Sequence, residues 1–418
     1  MRLKYPICNI QILSVPLPQT KTLKAMKNII TLIILICSVV SCQRIDYVAI
    51  DTKSDSCKVL SLNPVFESKF YALNDLIDTI KIIALETNSE SILSDVETLK
   101  MSDKYIYVQD RYQNEGVAIF DINGKFVRRL RRGNGPGEIN ILTTFDFDEH
   151  FLYTLQLEKV NKYSLSGEFI ESYPVMEMHN TLFDCLQIVD DGFLLAIHPC
   201  ESKSGKFEVL HTDKEFNTKR QFVFNHSFVG YNSQKEFKSN NTFFPPLCNT
   251  IYKFDGVSFS PLYTFNYPKY ENTFETNPDC NSPGLEFYKR HCTQGKFFAE
   301  GRMFQTQRYL YLTFYDGYSL PVTMYIDKKD GKFRGGYHPS YDDLPIWPIS
   351  FHNFVRCTYN DYFVKMLSPD DYLSAEGRNL EEYVSKLQHF SDDDKQKILT
   401  AKDDDNPLII MYKLKVID

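Results

Sequence analysis

From about residue 78 to the C-terminus, apolar runs of four to eight residues alternate with turn-forming residues, the spacing of short strands rather than of helices. The clearest stretch, 106–138, reads IYVQDRYQNEGVAIFDINGKFVRRLRRGNGPGE. Its runs at 106–108 and 117–120 are β-branched and aromatic, and Asn123-Gly124 between the second run and Phe126-Val127 is a strong hairpin signal. One such unit cannot bury its own apolar faces. Echoes follow at 152–155, 160–163 and 169–170 with a turn at Ser166-Gly167, so that Gly124 and Gly167 lie 43 residues apart. Further units take 193–197, 207–210 and 222–224 around Asp213-Lys214, and 251–254 and 262–265 around Asp255-Gly256. Gly256 lies 89 residues beyond Gly167, two steps of similar size. Units at 309–333 and 355–366 complete six, and a period of about 40–45 residues with several strands per repeat is the signature of propeller blades.

The predicted fold is therefore all-β, a six-bladed β-propeller over 76–418. The sixth unit has only three strands, the last near 408–413, while a β-rich run at 79–85 has no partner. Pairing of these two predicts a ring closed by its N- and C-terminal strands, with no open edge there. The proline-containing stretch 267–301 predicts a loop insertion. Helical spacing at 380–390, and Ser391 followed by Asp392, Asp393 and Asp394, predict a short helical insertion in the last blade. That acidic run lacks the glycine and terminal glutamate of a calcium loop, and reads as a helix start.

The N-terminus changes the picture of the compartment. Lys27 is followed by an apolar run at 29–40 and then Ser41-Cys42, too short to span a bilayer and shaped like a bacterial lipoprotein signal with Cys42 as the acylated residue. The expected organisation is a gene-start extension at 1–25, a signal peptide at 26–41, a tether at 42–75 and the propeller. Removing residues 1–41, which hold five basic side chains and no acidic one, leaves 42 basic against 54 acidic residues. Such an acidic chain lacks the basic face that nucleic acid requires. Beyond Cys42 seven cysteines remain, an odd number, and Cys280 with Cys292 is the candidate disulfide.

The segments 120–126 (FDINGKF), 133–138 (GNGPGE) and 406–408 (NPL) together resemble the six-bladed β-propeller lipoproteins of Gram-negative anaerobes, a family distantly similar to NHL-repeat propellers. The resemblance covers about residues 76–418 and implies the fold and the export signal, with no settled activity. Gln43 after Cys42 is not the aspartate that retains a lipoprotein in the inner membrane, so an outer-membrane lipoprotein, periplasmic or surface-exposed, is expected.

Candidate chemistry is sparse. Gly133, Gly135 and Gly137 are not followed by the Lys-Ser/Thr of a phosphate loop, and read as a turn between blades, with Arg131 and Arg132 beside it as candidate anion contacts. Asp146, Asp148, Asp184, His352 and Asn353 fall where innermost strands line a channel, and are candidate channel or ligand-binding residues. Two functions are open. The first is a non-catalytic ligand- or protein-binding lipoprotein, attached to the membrane through its lipid alone, with a protein, small-molecule or glycan partner and no cofactor. The alternative is a metal-dependent propeller hydrolase or lactonase with calcium in the channel, which needs three or more of those candidates to converge.

Overall fold

The strand Tyr105–Asp110 is buried along nearly its whole length, whereas Phe126–Arg131, two strands further on, is largely exposed. A strand lying between two neighbouring sheets buries both its faces and so reads as a continuous apolar run. Nearly fully buried middle strands recur in the six small sheets of the computed structural model. The structure describes residues 46–50, 57–61, 76–111, 116–197, 208–224, 237–238, 241–243, 250–266, 298–299, 302–316, 320–337, 354–368, 380–385, 387 and 389–417.

Each sheet is built around consecutive antiparallel strands. Blade 1 runs Val96–Met101, Tyr105–Asp110, Gly116–Asp121 and Phe126–Arg131, and blade 2 runs Leu142–Phe147, Phe151–Gln156, Val160–Ser164 and Phe169–Tyr173. Blade 3 begins with Phe183–Val189 and Gly192–Ile197 and ends with Thr218–Phe224, and blade 4 ends with Thr250–Phe254 and Phe259–Asn266. Blade 5 is built on Met303–Gln305, Tyr309–Asp316, Leu320–Asp327 and Phe333–Tyr337. Blade 6 combines Cys357–Tyr359, Tyr362–Leu367, Leu408–Leu414 and, from the other end of the chain, Ile77–Ala84. Six apolar clusters fill the six wedges between successive blades. Phe145 of blade 2 packs with Tyr107 and Leu130 of blade 1, for example, and Val364 and Met411 of blade 6 pack with Leu99 and Val108 of blade 1. The structure is a six-bladed β-propeller.

Ring closure follows the predicted pairing, and the two strands run antiparallel with Leu408 opposite Ala84 and Lys413 opposite Thr79. The connection from Ile77–Ala84 into blade 1 is held by side chains. Asn406 accepts from the Leu93 N–H (2.8 Å) and donates to the carbonyls of Glu86 (2.8 Å) and Ser91 (3.1 Å). Buried Asp110 accepts from the Ser94 hydroxyl (2.5 Å) and pairs with Arg129 (3.2 Å), which also reaches the Ile92 carbonyl (2.6 Å). The Asn-Pro-Leu segment is thus a clamp on the closing loop.

The segment expected as a tether is not one throughout. Asp46–Ile50 adds a fifth, parallel strand to blade 3, pairing Asp46 with Arg220 through Ile50 with Phe224, and Lys58–Ser61 does the same for blade 4 against 263–266. Ile50 and Leu60 are buried in the adjacent wedges, so the compact unit begins at Asp46. The short length and mixed polarity of these runs concealed them, because an edge strand needs only one apolar face.

The insertion in blade 6 holds helices Leu380–Ser385 and Asp392–Thr400. Ser391 caps the second by accepting from the Asp394 N–H (3.1 Å), as the sequence predicts. Asp394 accepts from the Ile82 N–H (2.9 Å) and Lys397 donates to the Ile82 carbonyl (3.0 Å), so the helix pairs with the outer edge of the closing strand as a further strand would. Among the described residues no helix is long and apolar enough to cross a membrane.

Candidate functional site

The innermost strands of blades 1, 2 and 3 share one irregularity. Pairing with the second strand slips between Val96 and Thr98, between Leu142 and Thr144, and between Phe183 and Cys185, leaving Glu97, Thr143 and Asp184 as bulged residues at equivalent places. Three residues beyond each bulge stand Lys100, Asp146 and Gln187, and each reaches towards the next blade. Lys100 Nζ lies 2.8 Å from Asp146 Oδ1, the Ile188 N–H donates to Asp146 Oδ2 (2.9 Å), and Gln187 Nε2 donates to Asn241 Oδ1 (3.2 Å). A polar belt therefore runs from blade 1 to blade 4 around the channel.

The belt borders a cavity of about 340 Å3, lined by the inner strands of blades 1, 2, 3, 5 and 6. Among the described residues, its charged lining is Glu97, Lys100, Asp146, Arg302 and Arg356. Both carboxylates are engaged by neighbours. Asp146 holds Lys100 and an amide, while Glu97 accepts from Gln109 Nε2 (3.2 Å) and lies 3.6 Å from Arg111. Arg356 of blade 6 donates to the Glu97 carbonyl of blade 1 at 3.5 Å. Arg302 is fixed at the start of the innermost strand of blade 5, where its carbonyl accepts from the Thr313 N–H (2.8 Å). The buried thiols of Cys185 and Cys357 also line the cavity, and burial holds the Cys357 thiol above its ordinary pKa despite the opposing charge of Lys100.

The residues singled out in sequence scatter. Asp146 sits in the channel wall and Asp184 on the bulge of blade 3, whereas Asp148 accepts from the amides of His150 (2.7 Å) and Phe151 (2.8 Å) and closes a hairpin. Among the described residues no three His, Cys, Asp or Glu side chains group as a metal site would require. His352, Asn353, Cys42, Cys280 and Cys292 lie outside the described residues. Arg131 and Arg132 are at the corner between blades 1 and 2 and do not line the cavity. Arg131 pairs with Glu90, and the corner amide of Gly135 is taken by the chain's own Glu138 carboxylate (2.7 Å). Gly137 there has φ +75° and packs on Phe169, which makes the glycine a turn requirement. Sequence reading missed Lys100, Gln187, Arg302 and Arg356. A repeat alignment of 96–101, 142–147 and 183–188 carries the signal for the first two, because the same positions recur at the same distance from the bulge.

A family described as Domain of unknown function (DUF4934) matches residues 58–413. The chain belongs to this family. This DUF4934 chain is similar in fold to a provisionally named exported protein of Bacteroides fragilis, with a TM-score of 0.67 at 16% identity, covering 89% of this chain and 100% of that one. It is also similar to a DUF4221-family member from Bacteroides vulgatus, with a TM-score of 0.50 at 10% identity, covering 81% and 97% of the two chains. At such identities the likeness establishes the propeller alone. No curated protein matches the DUF4934 chain.

Proposed function

We propose that this propeller is a non-catalytic binding protein of the cell envelope, that its ligand site is the channel cavity, and that a lipid on Cys42 attaches it to the outer membrane. The observation that carries the binding reading is the cavity itself. It is walled by the inner strands of five blades, and its described carboxylates, Asp146 and Glu97, are engaged by Lys100, Gln109 and Arg111. A preformed concave site with a few placed polar groups suits the holding of a small molecule or glycan unit. Carboxylates bound to an ammonium or to backbone amides are poorly placed to coordinate calcium or to act as bases. Support for a place outside the cytoplasm comes from the lipoprotein-like run before Cys42 and from the similarity to a protein described as exported.

Screening a library of small metabolites and oligosaccharides by thermal shift tests the binding reading, with Thr144→Trp as a variant that fills the cavity. At least one compound should raise the melting temperature of the unaltered protein and not that of the variant, since a ligand bound only by the folded state adds to its stability. Compounds that shift both proteins alike, or none that shift either, would refute it. For the anchor, Cys42→Ala should move the protein from the membrane to the soluble fraction, and a variant that stays in membranes would exclude lipid attachment.

A further inference from the structure

We propose that the ligand of the channel cavity is a small organic anion, a carboxylate or a phosphate ester, gripped by the guanidinium of Arg302. The inference rests on the binding reading above and adds the chemical class. Among the described residues, three cations and two carboxylates line the cavity. Asp146 has one oxygen on Lys100 and the other on the Ile188 amide, and Glu97 has one on Gln109 and the other beside Arg111, so neither carboxylate is directed at Arg302. Among the described residues no acidic group lies within ion-pair distance of Arg302, although its backbone is held in the sheet. Blade 5, which carries Arg302, stands opposite blade 2 in a six-membered ring, so the Lys100–Asp146 pair lies across the channel and cannot neutralise it by contact.

A guanidinium facing a walled cavity is screened by salt far less than one on the surface, and its planar fork matches the two oxygens of a carboxylate or phosphate. Arg356, on the neighbouring blade, adds a second positive charge to the same wall, and Thr98 and Thr144 of blades 1 and 2 line the same cavity. A cavity of about 340 Å3 is at the small end of ligand pockets, which suits one ring with one anionic group rather than a polymer.

Calorimetric titration with sodium glucuronate, glucose 1-phosphate and neutral glucose, at constant ionic strength, tests this. Glucuronate and glucose share a ring size and differ in charge, and the two anions separate carboxylate from phosphate. Saturable binding of at least one anion is expected, weakened about tenfold or more in Arg302→Gln, partly restored in Arg302→Lys and abolished in Thr144→Trp. Glucose binding as tightly as the anions, or Arg302→Gln binding them as well as the unaltered protein, would overturn the anion assignment and leave a binding channel standing. Anion binding that survives Thr144→Trp would place the site elsewhere and overturn it too. If none of the three probes binds, the assignment falls, and the library screen decides separately whether the channel binds anything.

Discussion

Phe216 occupies a turn position that blades 1 and 2 give to glycine. The hairpin between the third and fourth strands places Gly124, Gly167, Gly256 and Gly331 at φ between +78° and +95°, each after an Asp or Ser whose side chain accepts turn amides. In blade 3 the corresponding turn is Asp213 to Asn217, and Phe216 takes φ +64°. A left-handed non-glycine residue costs about 1–2 kcal/mol. Its ring is fully buried, stacked on Phe193 at 4.3 Å and against Tyr173 at 4.8 Å, and removing a buried phenylalanine costs about 3–5 kcal/mol. Burial outweighs strain. Phe216→Gly should therefore destabilise the protein by about 2 kcal/mol even though it relaxes the backbone, read as a lower denaturant midpoint. An unchanged or higher midpoint would mean that the strain dominates.

At the scale of elements, the question is how sheet edges are protected. The closing blade has the Asp394 and Lys397 side chains on Ile82, and blades 3 and 4 have the parallel strands Asp46–Ile50 and Lys58–Ser61. Those two strands also seal the wedges with Ile50 and Leu60. A chain beginning at residue 76, where a tether would end, should melt well below one beginning at residue 43 and aggregate on heating, because two edges and two apolar side chains become exposed. Equal melting temperatures for the two chains would show the added strands to be dispensable.

For the whole molecule, closure and cavity come from the same geometry. Six wedges of apolar packing set the ring, and the narrow end of each blade contributes its innermost strand to the channel. Joining the chain ends costs loop-closure entropy, recovered only when Leu408–Leu414 pairs with Ile77–Ala84 and Asn406 clamps the loop that follows. The belt of Lys100, Asp146 and Gln187 then ties successive blades at the channel wall with polar contacts. The ring that makes the chain stable is also what makes a cavity available.

The sequence determined the blade count, the closing pair and the capped helix, because middle strands buried on both faces, turn residues with positive φ and a serine before three aspartates leave local marks. FDINGKF carries a whole hairpin in seven residues. Tertiary structure alone decided the channel. Val96–Met101 alternates buried Leu99 and Met101 with half-buried Thr98 and Lys100, so its pattern is that of any half-buried strand and nothing local says that it borders a cavity shared with other blades. Arg302 and Arg356 stand 54 positions apart in the chain and share a cavity wall only because the ring closes. The strands at 46–61 were likewise decided by distant partners, since a short edge strand is stabilised by the sheet it joins rather than by its own residues.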